Sequence, residues 1–139
     1  MFFDLVVGPF VRRLGSTLIA ARMNGGDERV ERLAARYRRL LGSRVLFYVA
    51  TYLATVMFCG LRGDVMSPTI YREDGYRLHA DDVPVPLARF AAFTTAVLNR
   101  DEQVARAAWF SMDARTERSV LGLLVQQAHT HLRDAHGLR

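Results

Sequence analysis

The sequence predicts an all-α protein, a bundle of about six to seven helices around one central hydrophobic helix, Val45–Leu61. Three observations carry this expectation. The run VLFYVATYLATVMFCGL contains no charge and is bracketed by Arg44 and Arg62. Elsewhere apolar residues recur at intervals of three and four, the spacing of one helical face. Turn-forming residues gather at a few places only, chiefly Asn24-Gly25-Gly26, Gly42-Ser43 and the stretch 62–86. With 139 residues, 50% hydrophobic and 24% charged, the chain has the composition and length of one globular domain, 1–139, with no room for a second.

The elements follow in order. Phe10, Val11, Leu14, Leu18 and Ile19 mark an amphipathic helix that is expected to stop at Asn24-Gly25-Gly26. Asp27 and Glu28 then open a second helix in which Val30, Leu33, Ala34, Tyr37, Leu40 and Leu41 share a face. Its late arginines, Arg36, Arg38 and Arg39, complement the helix dipole. Gly42 ends it, and Ser43 stands where the next helix wants an N-cap. In the central run, Tyr48, Thr51, Tyr52, Thr55 and Cys59 form a mildly polar stripe, whereas Leu46, Phe47, Val49, Leu53, Val56, Met57 and Phe58 cover the other faces. The segment 62–86 holds three of the four prolines and is expected to be an irregular connection, with a short hairpin around Tyr71 to Leu78. Helical spacing resumes at Leu87 with Phe90, Phe93, Thr94, Val97 and Leu98. It continues through Val104, Ala108 and Trp109, then Val120, Leu121, Leu124, Val125, Ala128 and Leu132.

Composition narrows the function classes. The net charge is +5 with pI near 10.1, and all 19 basic residues are Arg. Arginine binds phosphate well, which keeps an Arg-rich nucleic-acid-binding helical protein as one alternative. The arginine clusters lack interleaved stacking aromatics, however, so a solvated basic face accounts for them and no nucleic-acid partner is expected. A small membrane-associated helical protein using Val45–Leu61 as a span is the other alternative. Its 17 residues fall short of the about 20 needed to cross roughly 30 Å of hydrocarbon. The N-terminal stretch has Asp4 and Pro9 within it and its arginines after it, unlike a secretory signal, and the polar C-terminus is unsuited to a stable membrane anchor. Cys59 is the only cysteine, which excludes an intramolecular disulfide and suits a buried, inert thiol.

Catalytic chemistry is not expected. His129 and His131 point to different sides of a helix, Asp81-Asp82 has no positioned partner carboxylate, and Gly25-Gly26 lacks the Lys of a phosphate loop. The sequence therefore predicts neither an enzyme nor a metal or cofactor site. Arg44 stands out for another reason. It sits at the N-terminus of the most apolar helix, where the dipole disfavours a cation, so its place calls for an acidic partner.

The order of local motifs resembles the Bcl-2 family of apoptosis regulators. Arg89-Phe90-Ala91-Ala92, then Leu98-Asn99, then Trp109-Phe110 is similar to the family's sixth and seventh helices. Gly42-Ser43-Arg44-Val45 resembles the first homology motif, which begins the family's central helix. Val11-Arg12-Arg13-Leu14-Gly15-Ser16-Thr17-Leu18, with Val7 ahead of it, resembles the third. Leu41 and Gly42 replace the Asn and Trp of the first motif, and Ser111-Met112-Asp113 stands where the second motif has Gly-Gly-Trp. The resemblance implies a compact, divergent member lacking the family's first helix and tail anchor, of the kind viruses carry.

The resemblance further implies a pro-survival protein that holds the amphipathic death-motif helix of pro-apoptotic family members in an apolar groove. The groove would lie between the helices of residues 7–24 and 28–41 and the start of the central helix. Val30, Leu33, Ala34 and Tyr37 would form one wall, Phe47 part of the floor, and Arg44 would pair with the ligand's Asp. Ser16 replaces the Asp that a killer ligand carries after its Gly, which favours survival over killing. Location in the cytoplasm, of a host cell if viral, with peripheral association at mitochondria, and a homodimer in the free state complete the expectation.

Overall fold

The computed structural model describes residues 8–57 and 83–135. Among these, all regular structure is helical and no strand occurs. Among the described residues five helices follow one another: α1 (Pro9–Leu41), α2 (Ser43–Met57), α3 (Val85–Leu98), α4 (Glu102–Phe110) and α5 (Ala114–Ala135). The expected hairpin near Tyr71, the end of the central run at 58–61, Cys59 and Asp81-Asp82 lie outside the described residues.

Pro9 begins α1, where a residue lacking an N–H costs nothing. The break expected at Asn24-Gly25-Gly26 is a kink and not a loop. Gly26 adopts φ 69°, ψ −164°, a conformation that only glycine reaches without strain, and the helix resumes at once. Two limbs result, residues 9–25 and 27–41, and an Arg22–Asp27 ion pair closes across the kink. Gly42, at φ 87°, ends the second limb, and its N–H donates to the Arg38 carbonyl at 3.0 Å. This single residue turns the chain from α1 into α2. Ser43, expected to cap the central helix from outside, is its first helical residue, and its hydroxyl is used elsewhere.

The central position of α2 follows from its composition. Leu46, Phe47, Val49, Ala50, Leu53 and Ala54 are all fully buried or nearly so. The helix packs against α1, α3, α4 and α5. The threonine hydroxyls of its polar stripe are satisfied inside the helix: Thr51 donates to the Phe47 carbonyl and Thr55 to that of Thr51, each at 2.8 Å. No helix among the described residues is long and apolar enough to cross a membrane.

Helix α3 starts at Val85, inside the expected connection, because Pro86 is tolerated in a first helical turn. It ends with Arg100 at φ 58°, the N–H of Arg100 on the Val97 carbonyl and that of Asp101 on Ala96, a left-handed cap in which Arg takes the usual place of Gly. Asp101 then caps α4 by accepting from the Val104 N–H, and Asp113 does the same for α5 with Thr116. Along α5, Val120, Leu121, Leu124, Val125 and Ala128 are fully buried, as their spacing predicts. Where α2, α3 and α4 meet, Phe47, Phe93 and Trp109 pack in sequence, with ring centroids 6.1 and 5.4 Å apart.

Candidate partner-binding site

The joint between α1 and α2 is held from the far end of the chain. Glu117, in the first turn of α5, is only 2% exposed. Its Oε2 accepts from the Ser43 hydroxyl at 2.8 Å, and the Arg38 guanidinium lies 3.3 Å from its Oε1, which has no hydrogen-bond donor among the described residues. The Trp109 indole N–H donates to the Ser43 carbonyl at 3.2 Å. The N-terminus of α2 is thus pinned by α1, α4 and α5 together, and the residue after Ser43 is presented from a fixed place.

That residue is Arg44, and it is exposed. Its charge acts on Tyr48, and no carboxylate among the described residues pairs with it. Arg106 approaches Tyr48 from α4, donating to its hydroxyl at 3.1 Å while lying 5.0 Å above the Phe47 ring. Glu102, one turn earlier, accepts from Arg106 at 2.9 Å. The Arg106 hydrogen bond is the main cause of a Tyr48 pKa below the ordinary phenol value; burial opposes it and Arg44 adds to it. Phe110, on the same face of α4 one turn beyond Arg106, packs on Phe47 at 5.5 Å and leaves 47% of its surface exposed. The corner therefore offers two guanidiniums, one carboxylate and an exposed aromatic ring. Its chemistry suits a ligand that carries a carboxylate beside an apolar side chain.

A second concavity, of about 930 Å³, opens between the two limbs of α1. Ala20, Ala21 and Leu33 give it an apolar base, and Arg29, Arg32, Arg36 and Arg39 line one side. Of the residues expected to form a groove, this cleft contains Leu33 alone. Val30 and Ala34 turn into the core at 2% and 1% exposure, and Phe47 is fully buried beneath Arg106. Tyr37 is half-buried, and burial raises its pKa while the Thr17 hydroxyl partly offsets the rise. Arg44 stands apart from the cleft, with Tyr48 and Arg106. Of the expected groove residues, the structure thus places Leu33 at the α1 cleft, Arg44 at the α2–α4 corner, and Val30, Ala34 and Phe47 in the core.

Sequence reasoning did not single out Arg106 or Glu117, and it named Phe110 only within the Trp109-Phe110 motif. Glu117 carries a readable signal, since it occupies an otherwise apolar stripe with Val120, Leu121 and Leu124. Nothing near Arg106 in sequence points to Tyr48. The half-buried His129 and His131 lie on α5, and among the described residues no group of three His, Cys, Asp or Glu could hold a metal ion.

No protein-family model, no curated protein and no solved structure matches the chain.

Proposed function

We propose that this protein is a pro-survival regulator of the Bcl-2 kind, which sequesters the amphipathic death-motif helix of pro-apoptotic partners by pairing Arg44 with the ligand's carboxylate. The observation that carries the reading is the state of Arg44, an exposed guanidinium at the positive end of the most buried helix, without a carboxylate among the described residues. A ligand helix would supply that carboxylate and set an apolar side chain against Phe110. Further support comes from the segment resembling the death motif. Leu18 is fully buried and Gly15 is packed against Tyr52, so its apolar face is committed to this protein's own core. Ser16 stands where a killer ligand needs Asp.

Calorimetric titration with a pro-death helix peptide and its Asp→Ala version tests the reading. Covering a charge pair and then removing one partner costs about 2 kcal/mol or more, so Arg44→Ala should weaken the parent peptide roughly 30-fold. Arg44→Lys should recover only part of this, lacking the planar fork. The Asp→Ala peptide should bind both proteins alike. Equal affinity of wild type and Arg44→Ala for the parent peptide defeats the pairing, and absence of binding by any pro-death helix defeats the function.

A further inference from the structure

The cleft between the limbs of α1 carries chemistry that the Arg44 corner does not use. Arg29, Arg32, Arg36 and Arg39 follow one another at intervals of three, four and three, which places them along one face of the second limb over about 15 Å. All four line the cleft, and no carboxylate lines it with them. Arg32 is loosely held by the equally exposed Glu28, whereas Arg29, Arg36 and Arg39 pair with no carboxylate among the described residues. Self-repulsion along such a row is unfavourable, and it is relieved by a ligand whose anions repeat at the same interval. Opposite the row, Ala20 and Ala21 are small enough to let another backbone come close, and Leu33 adds apolar area at the base.

We infer that this cleft is a second docking surface, which takes an acidic amphipathic helix of a protein partner. Carboxylates one turn apart on the partner lie along the arginine row, and its adjoining apolar face rests on Ala20, Ala21 and Leu33. A nucleic-acid backbone would satisfy the charge alone. It is disfavoured by the apolar base and by the lack of any Phe, Tyr or Trp among the lining residues on which a base could stack. Arg44 does not line the cleft, so this inference stands or falls separately from the function proposed above.

The test uses the whole protein and a fluorescent synthetic helical peptide bearing Glu at the spacing of the four arginines and Leu on the adjoining face, followed by anisotropy. Wild type should bind it, and rising salt should weaken the complex. Arg36→Ala combined with Arg39→Ala should cost about tenfold, the sum of two partly exposed ion pairs. Arg12→Ala combined with Arg13→Ala removes the same charge from the exposed first limb outside the cleft and should change affinity less than about twofold. Ala20→Trp, at an exposed position of the cleft, should block it. Equal losses from the two arginine pairs, undiminished binding of a Gln-for-Glu peptide, or unimpaired binding to Ala20→Trp would each overturn the inference. Displacement of the peptide by short duplex DNA at equal or lower concentration would do so as well, in favour of a nucleic-acid surface.

Discussion

Arg38→Ala should destabilise the protein, and adding Glu117→Met should restore it. The Glu117 carboxylate is 2% exposed, while the Arg38 side chain is 42% exposed. Their closest atoms are 3.3 Å apart. At that distance the attraction is about 1 kcal/mol in a water-like medium and about 5 kcal/mol at an effective dielectric of 20, and the half-exposed guanidinium places the pair toward the lower figure. Removing Arg38 leaves a buried anion with one neutral hydrogen bond, from Ser43, and an oxygen with none. A loss of about 2 kcal/mol follows. Methionine has the unbranched shape of glutamate and continues the apolar stripe of Val120, Leu121 and Leu124, so Arg38→Ala/Glu117→Met should lie within about 1 kcal/mol of wild type. Urea unfolding of wild type, the single variants and the double variant, followed by far-UV circular dichroism, measures the coupling. If the double variant is less stable than Arg38→Ala alone, Glu117 is not a buried charge dependent on Arg38, and the pinned joint described above is wrong.

Three further outcomes are expected. Gly26→Ala meets no side chain, since no atom lies within 4 Å of its added Cβ, yet φ 69° with ψ −164° is closed to L-residues; it should cost about 1–3 kcal/mol in the same unfolding assay, and a neutral result would mean the kink straightens without penalty. Asp101→Ala removes the acceptor of the Val104 N–H and should cost about 1 kcal/mol, with Asp101→Asn retaining most of the stability. In an ultraviolet titration Tyr48 should ionise below the ordinary phenol value of 10.0, and Arg106→Ala should move that ionisation upward, because the Arg106 hydrogen bond is the largest cause. The lowered folded pKa means that ionised Tyr48 favours the native state above the ordinary phenol range and that this contribution disappears as pH falls through the folded value.

Helix positions were legible in the sequence because they rest on local interactions. The stripe Val120, Leu121, Leu124, Val125 and Ala128 is buried as its spacing implies, Gly42 separates α1 from α2, and Val45 to Met57 form the axis of the bundle. Each of these depends on residues within about four positions of one another, where helical period and backbone restriction act. Even so, the period does not say how much of an apolar face the fold consumes. Leu40 and Val104 fit their stripes yet remain 67% and 50% exposed, whereas Val30 and Ala34 are absorbed into the core.

The surroundings of Arg44 were decided by tertiary structure. Arg44 was conspicuous in sequence because a cation at a helix N-terminus opposes the dipole. Its companions were not, since Arg106 reaches Tyr48 across 58 residues, Trp109 reaches Ser43 across 66 and Glu117 reaches Ser43 across 74. No local pattern encodes a contact at such separation. It exists only after α4 and α5 have packed against α2, when burial of apolar faces brings polar groups from distant turns within hydrogen-bonding distance and makes pairing them obligatory. The sequence by itself determined which segments carry a buried helical stripe and that Arg44 lacks a local counter-charge; the packing of those helices decided which residues surround Arg44 and which face of α1 remains open.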